Sequence, residues 1–295
     1  MSQIITIELR QWILEQAAAG HSHDSILAAM VSAGWARDVA SHALTNTLPA
    51  QQPNPPAPVA PEAVQAAEQG GVRVASAVKV PDLDLSRSPR QVDAGDRTID
   101  VLATLTQPRV VVLGGVLSDE ECDALIAAAR PRMARSLTVQ TQTGGEELNP
   151  DRTSNGMFFN RGESELITRI EARIARLLNW PVDHGEGIQV LHYHPGAEYK
   201  PHYDYFDPAE PGTPTILKRG GQRLATLVMY LSEPARGGGT TFPDVGLEVA
   251  PQRGNAVFFS YDRPQPTTRT LHGGAPVIEG EKWVATKWLR ERVFT

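Results

Sequence analysis

The chain has almost no cysteine: Cys122 stands alone among 295 residues. An intramolecular disulfide is therefore excluded, as is any thiolate-rich zinc or iron–sulfur site. Helical spacing around Cys122, between Leu117 and Ile126, predicts a small buried residue rather than a nucleophile. No stretch reaches the roughly 18 apolar residues of a membrane-spanning helix. Glu8 and Arg10 interrupt the N-terminal apolar residues, so the continuous apolar centre of a secretory signal is lacking. A cytoplasmic protein with no membrane contact is expected. Basic residues are also short, 28 Lys and Arg against 34 Asp and Glu, for a net charge of −6. That balance argues against a general nucleic-acid binder, because phosphate recognition needs a basic surface. What is present suits a soluble globular protein with a sizeable core: 41% hydrophobic and 21% charged residues. The length fits one large domain with a smaller appendage, or two ordinary ones.

Residues 1–48 predict a small N-terminal unit of three short helices. Ile7, Leu9, Trp12, Ile13 and Gln16-Ala17 have helical spacing, with a stop near Gly20. Ser22-His23-Asp24 offers N-cap chemistry before Ile26, Leu27, Met30 and Val31, and Gly34 is the next stop. A third helix follows Trp35 through Val39, Ala40, Ala43 and Leu44. The unit resembles ubiquitin-associated-like adaptor modules, which implies a protein partner. Residues 49–75 are rich in Pro, Ala and Gln. Repeated prolines cannot propagate a helix or a sheet ladder, so a semi-extended linker is expected there.

Residues 76–295 form the remaining domain. Arg109–Leu113 reads as a strand, Ser118-Asp-Glu-Glu121 as a capping signature opening a helix, and Glu165–Leu178 as a second amphipathic helix. Strands are then expected at Ile188–Tyr193, Leu224–Leu231, Leu247–Val249, Ala256–Tyr261 and Trp283–Leu289, parted by Gly237-Gly238-Gly239, Gly254 and Gly273-Gly274. The fold class that follows is α+β, mainly β: a double-stranded β-helix, or jelly roll, with buttressing helices and a core at about residues 185–291.

Histidines and acids carry the chemistry. His202 and Asp204 alternate, and with His272 they offer two imidazoles and one carboxylate. Such a set occupies one face of an octahedral Fe(II) and leaves three adjacent positions open. Lys282, ten residues after His272, offers a cationic end-stop for a dicarboxylate. A rival half-site exists at His192 and His194, whose spacing on a strand also turns both rings to one face. If Tyr193 faces the pocket, that pair faces away. Pattern alone leaves the two sets open. His21, His23, His42 and His184 are expected at the surface.

Five ordered segments carry a resemblance. They are Ile188-Gln-Val-Leu-His-Tyr193 with Tyr199-Lys-Pro-His-Tyr-Asp-Tyr-Phe206; Gly221-Gln-Arg-Leu-Ala-Thr-Leu-Val-Met-Tyr-Leu-Ser232; Gly237-Gly-Gly-Thr-Thr-Phe-Pro243; Pro251-Gln-Arg-Gly-Asn-Ala-Val-Phe-Phe259; and Leu271-His-Gly-Gly274 with Gly280-Glu-Lys-Trp-Val-Ala-Thr-Lys-Trp288. The region from roughly 108 to 291 resembles the prolyl 4-hydroxylase branch of the 2-oxoglutarate- and Fe(II)-dependent dioxygenases. The resemblance implies that His202, Asp204 and His272 ligate Fe(II) and that Lys282 pairs with the distal carboxylate of 2-oxoglutarate. It implies that Tyr193 hydrogen-bonds the cosubstrate, with Tyr230 as a helper. Tyr199, Arg223 and Trp288 match positions that contact the peptide, as does the Arg152–Ser154 loop. Arg290 stands where some relatives carry histidine. The activity implied is hydroxylation of peptidyl-proline to 4-hydroxyproline, with release of succinate and CO2 and with L-ascorbate as reductant. The same chemistry on another residue or a small molecule, or an adaptor role through the helical unit, are the alternatives.

Overall fold

The structure is a computed structural model that describes residues 12–13, 16–17, 22–33, 35, 37–47, 79–139, 143, 145–148 and 151–295. The chain divides into two compact units, Met1–Val74 and Ala75–Thr295.

In the first unit, helix α1 (His23–Ser32) begins at Ser22, whose side chain accepts a hydrogen bond from the Ser25 amide. Helix α2 (Arg37–Thr47) follows. Ile26 and Met30 from α1 bury with Ala40, Ala43 and Leu44 from α2 and with Ile13. Most of the helix expected over residues 7–20 lies outside the described residues; within it, Trp12, Ile13, Gln16 and Ala17 are helical. The expected linker at 49–75 lies wholly outside them.

The second unit is built on β-strands. It opens with β1 (Gln91–Asp93), β2 (Thr98–Leu105) and β3 (Arg109–Gly114), then α3 (Asp119–Ala129). Four short strands follow: β4 (Ala134–Arg135), β5 (Leu137–Val139), β6 (Glu146–Leu148) and β7 (Asn155–Phe159). After α4 (Glu165–Leu177) come β8 (Ile188–Tyr193), β9 (Tyr199–His202), β10 (Arg223–Tyr230), β11 (Arg236–Gly237), β12 (Thr240–Phe242) and β13 (Leu247–Val249). The last strands are β14 (Ala256–Ser260), β15 (His272–Gly274), β16 (Val277–Glu279) and β17 (Lys282–Arg290).

A nine-stranded sheet runs β1-β2-β3-β14-β10-β17-β8-β7-β4, and a four-stranded sheet runs β13-β12-β15-β9. Alternation divides most buried apolar residues of the large sheet between two cores. On β10, Leu227 and Met229 join Cys122 and Leu125 of α3 and Ile170 and Ile174 of α4. Val228 and Tyr230 point the other way, among Phe242, Phe259 and Val284. One face of the large sheet is therefore sealed by helices, while the other forms the sandwich that holds the site. This is the jelly-roll plan, mainly β with few helices.

The helices are fixed chemically as well as by packing. Ser118 and Glu121 form a complete capping box at α3. Glu121 also receives two hydrogen bonds from Arg173 of α4, at 2.7 and 2.8 Å. Burial opposes ionisation of Glu121, yet these contacts hold its carboxyl down at about 2. Cys122 is buried beside them, and burial pushes its thiol up to about 11, which suits a core residue and not a nucleophile.

The large sheet reaches beyond the segment expected at about 185–291: β3 pairs with β14, with Val111 opposite Phe258, and β1 and β2 extend it. β2 carries Ile99, Val101, Ala103 and Leu105 in alternation, a strand pattern in the sequence, although most of the strand is exposed or half-buried. His184 is half-buried rather than at the surface, with its ring edge-on to Trp180.

Candidate active site

His202 ends β9 and His272 opens β15, and antiparallel pairing of the two strands sets them directly opposite each other. Gly273 permits that approach, since a Cβ there would lie 2.9 Å from the Tyr199 carbonyl oxygen. Asp204 lies beyond the strand, in a bend, so the carboxylate turns back toward both rings. The strand therefore ends at the pocket mouth.

The three groups converge. Asp204 Oδ1 is 3.5 Å from His202 Nε2, and its Oδ2 is 3.4 Å from His272 Nε2. Each ring is oriented from behind: Nδ1 of His202 lies 2.9 Å from the Lys200 carbonyl and Nδ1 of His272 lies 2.9 Å from the Thr270 carbonyl. Donation from Nδ1 to those carbonyls leaves both Nε2 lone pairs directed at the shared centre. Thr226 donates to Asp204 Oδ2 at 2.7 Å and lies 3.1 Å from the Tyr261 hydroxyl. Burial raises the cost of charge on Asp204, but the adjacent imidazoles of His272 and His202 hold its carboxyl well below the ordinary range. Burial, with His272 alongside, pushes His202 downward. An ionised carboxylate beside a ring that resists protonation is the donor set that a divalent transition metal requires.

Lys282 is the second element. It opens β17 opposite Tyr193 of β8 and is only 3% exposed. Burial lowers its ammonium to about 8, and Glu248 supplies a weak opposing field. Its Nζ lies 5.4 Å from the Tyr193 ring centroid and 6.0 Å from that of Tyr230. No carboxylate lies within ion-pair distance among the described residues. A buried cation facing a cleft without a counter-ion is costly unless an anion arrives there. The cleft joins the two elements, with about 460 Å³ of space counting its open mouth. Its walls include Leu191, Val228 and Val284.

The other expected residues take distinct places. Tyr193 lines the cleft, with its hydroxyl bonded to Ser154 and Arg152. Tyr230 lies behind the cleft's wall and donates to Thr240 Oγ1 at 2.8 Å. Tyr199 stacks on the His202 ring at 3.7 Å, with the Arg152 guanidinium 4.9 Å from its own ring. Trp288 lines the mouth, and Arg223 lies over it at 4.0 Å. Arg223 itself is held by Glu186 through two bonds of 2.6 and 2.9 Å. Arg290 is buried behind this group, bonded to Glu186 at 3.1 Å and to the Arg219 carbonyl. It therefore props Arg223 rather than reaching the cleft.

Sequence reasoning missed Thr226, Glu186 and Tyr261. Thr226 had a signal, because it alternates with Val228 and Tyr230 on β10 and so shares the face of the tyrosine. The rival pair is also resolved. His192 lies opposite Trp283 in the ladder and stacks on it, on the face away from the cleft.

Residues 188–290 match the profile of the 2OG-Fe(II) oxygenase superfamily. Prolyl 4-hydroxylase 5 of Arabidopsis thaliana is 41% identical over 222 residues, covering 68% of this chain and 74% of that protein. Prolyl 4-hydroxylase 1 of the same plant is 43% identical over 203 residues, covering 63% of this chain and 70% of its own length. The solved viral collagen prolyl hydroxylase of Paramecium Bursaria Chlorella virus-1, in its 2OG complex, is 34% identical and aligns with a TM-score of 0.47 over 61% of this chain and 95% of that one. On its sequence relatives, the chain belongs to the prolyl 4-hydroxylase-like branch of the 2OG-Fe(II) oxygenase superfamily, which depends on Fe(II) and 2-oxoglutarate.

Proposed function

We propose that this chain hydroxylates proline residues within peptides at C4, consuming 2-oxoglutarate and O2. The observation that carries the reading is the pairing, in one cleft, of the His202–Asp204–His272 set with the buried and unpaired Lys282. When bound, Fe(II) and 2-oxoglutarate supply the oxidative chemistry, in which one oxygen atom of O2 goes into a C–H bond and the other into succinate, with release of CO2.

The protein's part is binding, orientation and exclusion. His202 Nε2, His272 Nε2 and Asp204 would hold the iron, each with its second polar atom already engaged by Lys200, Thr270 or Thr226. Lys282 would receive the distal carboxylate, which restores the charge that burial penalises. Tyr193, its ladder partner, borders the same end of the cleft. The apolar faces of Leu191, Val228 and Val284 keep water from the reacting end.

A peptide would enter at the open side. Tyr199 and Trp288 line it as flat aromatic surfaces suited to a proline ring, and Arg223 stiffens Trp288 from outside. Proline is favoured over other residues because the plant relatives are named for that reaction. L-ascorbate fits as the reductant that returns oxidised iron to the ferrous state. The test is mass spectrometry of proline-rich peptides incubated with the full chain, Fe(II) and 2-oxoglutarate. Gain of one oxygen on proline supports the reading; oxygen gained only on other residues or on no peptide refutes it.

A further inference from the structure

A second cluster lies on the far side of the strands that carry Tyr193 and Lys282. His192, His194 and Glu281 place one ligand atom each within 4.8 Å of one another. His192 Nε2 lies 2.9 Å from Glu281 Oε2, and His194 Nδ1 lies 3.7 Å from Glu281 Oε1. The two carboxylate oxygens are thus divided between two imidazoles whose centroids are 4.1 Å apart. Tetrahedral coordination with metal–nitrogen bonds of about 2.0 Å separates its ligand atoms by about 3.3 Å. One observed separation is shorter than that value and the other longer, each to a different oxygen of Glu281, so the side chains must adjust to share one ion.

The site is built rather than accidental in one respect. His192 is buried and stacks on Trp283 at 4.0 Å with planes 15° apart, and the Arg130 guanidinium lies 5.0 Å from the centroid on Trp283. One ligand ring is therefore fixed by packing. His194 and Glu281 are exposed and can close onto an incoming ion.

We infer that His192, His194 and Glu281 form a second site for a divalent first-row transition ion of the zinc class, separate from the catalytic cleft. Two imidazoles and a carboxylate suit zinc, with water completing the shell. The proton that His192 Nε2 shares with Glu281 must shift to Nδ1 so that the Nε2 lone pair can take the ion. The ion would clamp the end of β8 to the start of β17, one residue from both Tyr193 and Lys282.

The test uses the full chain carrying Asp204→Ala, which disables the cleft's own metal set. Zn2+ bound after dialysis is counted by atomic emission, and the unfolding temperature is read with and without Zn2+. Adding His194→Ala, or separately Glu281→Gln, should remove one equivalent of zinc and abolish the zinc-dependent rise in unfolding temperature. Both side chains are exposed, so the metal-free unfolding temperature should stay unchanged as the control for folding. Equal zinc content and equal stabilisation with and without His194 and Glu281 would overturn the assignment. Failure of peptide hydroxylation would not bear on it, because neither readout depends on the cleft.

Discussion

Lys282 and Lys287 are both buried on β17, five residues apart and hence on opposite faces, and among the described residues only Lys287 has a carboxylate partner. Its Nζ lies 2.5 Å from Glu171 Oε1 of α4, with both side chains 2% exposed. Lys282 faces the cleft with no such partner. One lysine holds the fold together, and the other is left for a ligand.

Substitution should separate these roles. Lys287→Met strands the Glu171 carboxylate in the core and should cost about 3–5 kcal/mol in denaturant unfolding. Adding Glu171→Gln should recover much of that loss. Lys282→Met removes a buried charge, so the cosubstrate-free protein should keep or gain stability while calorimetric binding of 2-oxoglutarate disappears.

The pH dependence follows from the same residue. Burial places the free Lys282 ammonium at about 8, and a bound dicarboxylate must raise it. Binding therefore takes up a proton above that pH. The 2-oxoglutarate dissociation constant should stay flat below pH 8 and then rise about tenfold per unit. For the ligand-free fold the folded value lies below the ordinary 10.5, so the unfolded chain binds more protons between the two. This group's contribution to stability should rise with pH through that window and be constant below it.

Thr226 tests whether the carboxylate must be held as well as present. Thr226→Val keeps the shape and deletes the 2.7 Å bond to Asp204. Metal affinity measured by competition with a chelator should fall about 10- to 100-fold, with a loss of about 1–3 kcal/mol in unfolding from the buried groups left without a partner. Unchanged affinity would make the bond incidental.

The mouth gives a different split. Arg223 lies flat on Trp288 while bonded twice to Glu186, a geometry that lysine cannot reproduce. Arg223→Lys should raise the peptide KM roughly tenfold and leave peptide-independent 2-oxoglutarate turnover near its starting rate. A fall in both would mean that Arg223 supports the cleft as a whole.

The sequence was most legible where local chemistry sets local structure. The capping box at Ser118, the amphipathic α4 and the apolar strand β8 could be read from spacing alone. It was least legible where pairing at long range decides. Nothing local distinguishes His202 from His192, since each alternates with a second potential ligand; the ladder from β9 to β15 decides, by bringing up His272. The alternation of Ile99, Val101, Ala103 and Leu105 did mark β2, but Glu186 stayed hidden because its role depends on Arg223 and Arg290, which come from two strands distant in sequence. The spacing of Lys282 from His272 was visible, but its burial without a partner was not.

The most direct measurement couples two products in one reaction. The full chain is incubated with Fe(II), 2-oxoglutarate and a proline-rich peptide, and succinate and oxygenated peptide are quantified together. One oxygen on proline C4 is expected for each succinate formed, and neither product above background with Asp204→Ala or His272→Ala. Peptide hydroxylation that persists in both variants would contradict that expectation.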